Sequence, residues 1–187
     1  MAGSFCLRIV GLTIGILLLL PLQVDAQYLG VSRCRPCHLP QAKSWQETKM
    51  AKAFELLRPG VAAESKRAHK LDPNKDYTHD AACLPCHVTG YGKPGGFESI
   101  EKTPGLAGVQ CEACHGPGAG YLKPNLMSLQ NKDYRLKGVV AAGLIIPGAE
   151  TCQGCHNEKN PFHKLFDFKT QRDQGTHKHF PLKYAHE

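Results

Sequence analysis

The pattern Cys-Xaa-Xaa-Cys-His occurs four times in this chain, at Cys34-Arg35-Pro36-Cys37-His38, Cys83-Leu84-Pro85-Cys86-His87, Cys111-Glu112-Ala113-Cys114-His115 and Cys152-Gln153-Gly154-Cys155-His156. This is the attachment signature of c-type haem. The two thiols form thioether links to the porphyrin, and the adjacent imidazole ligates the iron from one side. Zinc ribbons also use paired Cys-Xaa-Xaa-Cys, but zinc does not require a His directly after the second Cys. The chain has 10 His in 187 residues. Four such placements by chance have odds of about 1 in 100,000. Disulfide pairing asks for no His either. Cys34, Cys37, Cys83, Cys86, Cys111, Cys114, Cys152 and Cys155 are therefore read as covalent haem anchors. His38, His87, His115 and His156 are read as the proximal iron ligands of four haem c groups.

Residues 1–26 read as a secretory signal: Arg8 supplies the charge, residues 9–20 the apolar run, and Val24-Asp25-Ala26 a small-residue cleavage site before Gln27. The apolar run is shorter than the roughly 20 residues of a confident bilayer span. Cleavage after Ala26 and a periplasmic mature protein without a firm membrane span are expected, with an uncleaved anchor as the alternative. Haem attachment follows export, so leader and motifs agree. Cys6, the one cysteine outside the motifs, lies in the leader.

Residues 27–187 then form one tetrahaem domain with about 40 residues per haem. This segment is sparse in aliphatics and rich in Gly, Pro and Lys, so the macrocycles are expected to supply much of the apolar interior. The formal charge of +7 does not signify nucleic acid. Eight propionates and up to four ferric charges bring the loaded protein to between about −1 and +3. The lysines are read as screens for propionates and as a mixed docking face.

The first cysteines of successive motifs are 49, 28 and 41 residues apart, which argues against a stacked repeat. Residues 40–57 read as a helix with Pro40 in its first turn and Pro59-Gly60 as its stop. On it Met50, Phe54 and Leu57 share a face, with Trp45 at the margin. Residues 61–71 read as a second short helix ended by Asp72-Pro73. Residues 90–96 read as a turn-rich link. Residues 135–146 suit a helix or a strand, and residues 162–187 form an aromatic, His-rich tail of weak helical character. The class is mainly α, with short helices and long loops wrapped on haems.

Three stretches outside the motifs add specificity. They are Leu39-Pro40-Gln41-Ala42-Lys43-Ser44-Trp45-Gln46-Glu47-Thr48, Lys70-Leu71-Asp72-Pro73-Asn74-Lys75-Asp76-Tyr77-Thr78, and Gly90-Tyr91-Gly92-Lys93-Pro94-Gly95-Gly96-Phe97. With Gly108-Val109-Gln110 and Gly116-Pro117-Gly118 around the third motif, the chain resembles the tetrahaem cytochrome c-554 family of ammonia-oxidising bacteria. The likeness is close over residues 30–118 and looser through the fourth motif and His177-Lys178-His179. It implies a mostly α periplasmic electron carrier with four stacked haems, working between a multihaem dehydrogenase and a quinone reductase or another cytochrome.

The resemblance also implies distal iron ligands, and here the chain departs from the family. Met50 stands where the family has the His that completes the third haem. Asn125, a poor ligand, stands where the family has the His completing the first, with Met127 two residues on. The fourth-haem ligand falls on His177, with His179 as its competitor. The family's second haem is five-coordinate beneath a pocket that matches Asn160-Pro161-Phe162, and His163 is a candidate cap for it. His69, His79 and His186 match no family ligand. Met50 has a plain alternative as helix packing. The alternative to a carrier without enzymatic activity is a small nitric oxide or N-oxide reductase at the open second haem. Asn160 there can hydrogen-bond a ligand but cannot deliver a proton, and no committed acid is evident.

Overall fold

The computed structural model describes residues 27–182. The leader reading and His186 lie outside them. Among the described residues the structure is helical without strands, its only β pairing an isolated bridge between Val88 and Ala107. The eight α-helices are α1 Val31–Cys34, α2 Leu39–Gln46, α3 Ala63–Ala68, α4 Leu84–His87, α5 Cys111–His115, α6 Leu136–Ala141, α7 Ala149–Gln153 and α8 Phe168–Gly175. Three 3-10 turns, Phe54–Leu57, Pro104–Leu106 and Gly118–Gly120, complete the set. The mainly α class with short helices and long loops is borne out. No described helix is long and apolar enough to cross a membrane.

The helix expected over residues 40–57 is broken in two. α2 stops at Gln46, and only the last four residues of the expected span return as a 3-10 turn. Local chemistry explains the break. Thr48 Oγ1 donates to Trp45 O at 2.7 Å and accepts from Ala51 N at 3.3 Å, taking backbone groups that a helix would use. Met50 O accepts from Val109 N at 3.0 Å, a partner far along the chain. Met50 therefore leaves the Phe54–Leu57 face on which the sequence pattern put it. The second expected helix shrinks to α3, and residues 90–96 form the expected turns. Residues 135–146 resolve into α6 followed by extended chain. Gly143, at φ +106°, ends α6, and Leu144 N returns to Val139 O at 3.1 Å.

The core is small and sits early in the chain. Phe54, Leu57, Tyr77, Leu84, Val88, Phe97 and Leu106 form its buried cluster, with Phe54 and Phe97 rings 5.7 Å apart. Beyond Tyr121, Val139 is the one buried hydrophobic residue among those described. Leu165 is 92% exposed and Ile146 60% exposed. The later third of the chain thus has almost no interior of its own.

Residues 105–112 are the hub. Thr89, fully buried, donates its hydroxyl to Gly108 O at 2.8 Å and accepts from Gln110 N at 2.9 Å. Trp45 Nε1 donates to Val109 O at 2.8 Å. Gly108 sits at φ +83°, and a Cβ there would meet Ala51 O at 2.7 Å. Gly108→Ala is therefore expected to cost roughly 2–4 kcal/mol through left-handed backbone strain plus overpacking. Gly60→Ala is the control, since φ is +76° but no atom lies within 4 Å of the added Cβ. Denaturant unfolding should rank Gly108→Ala well below Gly60→Ala; equal losses would show that the contact with Ala51 does not matter.

Candidate haem-binding site

Each motif occupies a short helix or tight turn that presents two thiols and an imidazole together. α4 and α5 each end on their motif imidazole, His87 and His115. The first motif spans the end of α1 and the following turn, where Cys37 N and His38 N both donate to Cys34 O, at 3.2 and 3.0 Å. The fourth repeats that arrangement, with Cys155 N and His156 N on Cys152 O at 3.1 and 2.9 Å. Burial lowers the pKa of all four motif histidines below the usual imidazole value, which favours the neutral, ligating form.

The sequence gives no warning of how the motifs are brought together. Gln110 and Glu112, both buried, flank Cys111 and grip the chain just before the first motif. Gln110 Oε1 accepts from Val31 N at 2.7 Å, while its Nε2 donates to Gly105 O and Ala107 O at 2.7 and 2.9 Å. Glu112 accepts from Leu29 N at 2.9 Å, Gly30 N at 2.7 Å and Gly118 N at 2.6 Å. As a result the Cys34 and Cys111 thiols come near enough to couple, which draws Cys111 down and pushes Cys34 up. Cys86 and Cys155 couple likewise, lowering Cys86 to about 7 and raising Cys155. Cys114 is pushed up to about 11 by burial and by Cys152 alongside it. In space the motifs therefore run first, third, fourth, second.

These residues suit haem c. All eight motif cysteines are free thiols rather than disulfides. Among the described residues no three His, Cys, Asp or Glu converge on an ion-sized site. Two motif imidazoles are already aimed. His87 Nδ1 is 2.6 Å from Ala53 O and His115 Nδ1 is 3.2 Å from Ile145 O, leaving Nε2 for a metal in each. Ile145 N also donates to His115 O at 2.9 Å, so the extended chain after α6 clamps His115 from both ends. The thin core and the exposed apolar side chains of the later segments leave surface for a macrocycle to cover.

The expected distal residues are placed as follows. Met50 is half-buried near the third motif, its Cε 3.8 Å from the position of a Cβ on Gly175 at the end of α8. The His177 ring lies 6.3 Å from the His115 ring, centroid to centroid. The resemblance implies the fourth haem for His177, but the motif ring it pairs with belongs to the third, and it also lies near enough to His38 of the first to help lower that imidazole's pKa. His179 is 5.0 Å from the His177 ring, with its Nε2 3.7 Å from Asp173 Oδ1. Met127 is half-buried and donates its N–H to Tyr121 O at 3.3 Å, and Tyr121 lies near enough to Cys34 to feel its charge. Asn125 is exposed.

Asn160 is committed to the backbone. Its Nδ2 donates to Cys155 O at 3.2 Å and its Oδ1 accepts from Phe162 N at 2.9 Å. The Phe162 ring packs on His69 at 4.3 Å, and His163 lies close enough to lower the pKa of His156. The buried His163 Nδ1 has no hydrogen-bond partner. His79 is exposed.

Known proteins share this arrangement. The family model for cytochrome c554 and c-prime matches residues 33–116. Cytochrome c-554 of Nitrosomonas europaea is 41% identical over 140 residues, covering 72% of this chain and 60% of the relative. The solved reduced state of cytochrome c554 from Nitrosomonas europaea superposes with a TM-score of 0.74 at 35% identity. That match covers 87% of this chain and 90% of the other.

Proposed function

Because the chain belongs to the cytochrome c554 family, we propose that it is a c-type electron carrier that holds four covalent haem c groups and passes electrons among redox proteins of the periplasm. The observation that supports this best is the contiguous run of motifs. Cys34 and Cys111, Cys114 and Cys152, and Cys155 and Cys86 lie near enough to perturb one another's ionisation, which places the four attachment sites in one series. Haem iron, when bound, supplies the one-electron chemistry. This chain's own part is to hold and orient: the cysteines tether the groups, and His38, His87, His115 and His156 ligate from the proximal side. Ala53 O and Ile145 O fix the ring rotation of His87 and His115. Glu112, Gln110 and Thr89 set the spacing between attachment sites. Met127, on the loop that packs beside Cys34 through Tyr121, is the candidate second ligand at the first haem.

Donor and acceptor are read as a multihaem dehydrogenase on one side and a quinone reductase or cytochrome on the other, with residues 1–26 as the export signal. The N-oxide reductase reading is less supported, because Asn160 holds a local turn through Cys155 and Phe162 and its amide can hydrogen-bond a ligand but deliver no proton.

Intact mass of protein made with haem-maturation machinery tests the proposal. A polypeptide beginning at Gln27 and about 2.5 kDa heavier than its sequence is expected. A mass without haem, or one explained by zinc, would refute it. Carbon monoxide or nitric oxide binding by the ferrous protein, followed for turnover, separates carrier from reductase.

A further inference from the structure

We propose that His177 is the second axial ligand of the iron held by His115, and that Met50 packs beside this pair without ligating. The proposal rests on the haem-binding reading above and assigns one bond within it. It departs from both assignments that the family resemblance implies for these residues.

The geometry carries it. A metal–imidazole bond is about 2.0 Å and a ring nitrogen lies about 1.2 Å from its centroid, so two imidazoles on opposite sides of one metal have centroids about 6.4 Å apart. The His115 and His177 centroids are 6.3 Å apart with their planes 30° from parallel. Both rings are also turned the same way. His115 Nδ1 sits 3.2 Å from Ile145 O, and His177 Nδ1 sits 3.0 Å from Lys178 O. A metal-bound His commonly gives its other ring N–H to such a carbonyl, and Nε2 is then the free nitrogen in each ring.

The competitor on the same segment is distinguished by its contacts. His179 has Nε2, the nitrogen it would need, 3.7 Å from the Asp173 carboxylate. The segment is anchored independently of any ligand. Lys178 N donates to Ser44 Oγ at 2.9 Å, and Gln41 Nε2 donates to Phe180 O at 3.4 Å. These bonds fix residues 177–180 against α2, beside the first motif and within reach of the third. Met50 reaches the same neighbourhood, but its methyl faces Gly175, and its backbone is used by Val109 and Ala53. Given an imidazole and a thioether near one iron, the aimed imidazole is the better placed donor.

The test uses the haem-loaded protein, its four-haem mass verified first, so that failure of haem binding is seen separately. In the reduced, diamagnetic state, Overhauser contacts should connect the ring protons of His177 to the haem bonded by Cys111 and Cys114. In the ferric state, electron paramagnetic resonance of His177→Ala should show one low-spin centre turned high-spin. The same variant, reduced, should bind one more equivalent of carbon monoxide. Met50→Leu and His179→Ala should leave spin states and carbon monoxide stoichiometry unchanged. Should His177→Ala accumulate poorly, His177→Met keeps six ligands and should add thioether-to-iron absorption beyond whatever Met127 contributes in the parent. The proposal is overturned if Met50→Leu produces the new high-spin centre. It is equally overturned if the parent already shows the thioether band and Met50→Leu abolishes it, or if His177 contacts the haem bonded by Cys152 and Cys155.

Discussion

Cys111→Ala combined with Cys114→Ala is expected to yield a protease-sensitive protein with most of its helical circular dichroism lost. The third motif is the place where this loss should be greatest. Its helix α5 is tied to the residues before the first motif through Glu112 and Gln110, and its Cys114 lies near enough to Cys152 of the fourth to be perturbed by it. His115 is the residue that the chain after α6 clamps. The core does not extend to this region: its seven buried members run from Phe54 to Leu106, and Val139 alone represents the chain beyond Tyr121. A chain of this length normally buries about two-thirds of the surface it exposes when unfolded, and here the macrocycles are asked to cover much of the apolar remainder. Limited proteolysis and circular dichroism on haem-loaded material check the expectation. A variant that accumulates as a stable three-haem protein would show that the polypeptide closes its own core.

The four Cys-Xaa-Xaa-Cys-His motifs stand out in the sequence because they are local: two thiols and an imidazole within five residues suggest haem attachment without any tertiary context. The mainly α class followed from the same logic. What was not legible is everything fixed by distant partners. The break after Gln46 starts locally at the Thr48 hydroxyl, but the path beyond it depends on Met50 O meeting Val109, more than fifty residues away, and no periodicity announces such a contact. Nothing local in the sequence assigns Glu112 and Gln110 a role, yet they are buried and bind Leu29, Gly30 and Val31. Their one detectable sign is a carboxylate and an amide on either side of a Cys in a segment otherwise made of small and apolar residues. The amide of Asn160 also closes a local turn after the fourth motif, a role that its place in the sequence does not announce. His177 and His179 are two residues apart and alike in sequence. Only the Lys178 carbonyl beside one and Asp173 beside the other tell them apart.

Glu112→Ala is expected to be the most damaging single substitution of a residue that touches no haem atom in the proposed scheme. The Glu112 carboxylate is 2% exposed and is the acceptor for the Leu29, Gly30 and Gly118 N–H groups. Removing it leaves buried donors unpaired at about 1–3 kcal/mol each, partly offset where water enters. A net loss of roughly 3–5 kcal/mol follows, comparable with breaking a buried charged network. For a chain of this size that corresponds to a melting point lower by roughly 10 °C or more. Glu112→Gln keeps the shape and one oxygen acceptor but turns an amide N–H₂ toward N–H donors, so a smaller loss of about 1–3 kcal/mol is expected. The damage should be directional. Leu29 and Gly30 precede α1 and the first motif, so freeing them loosens the first attachment site from the third while the second, anchored by His87 on Ala53 O, keeps its place. Hydrogen exchange should therefore quicken at residues 28–35 and 116–121 before it does at residues 84–97. Potentiometric titration should show the first and third haems shifting together. A Glu112→Ala protein that melts within about 2 °C of the parent would mean the carboxylate is not what joins the two motifs.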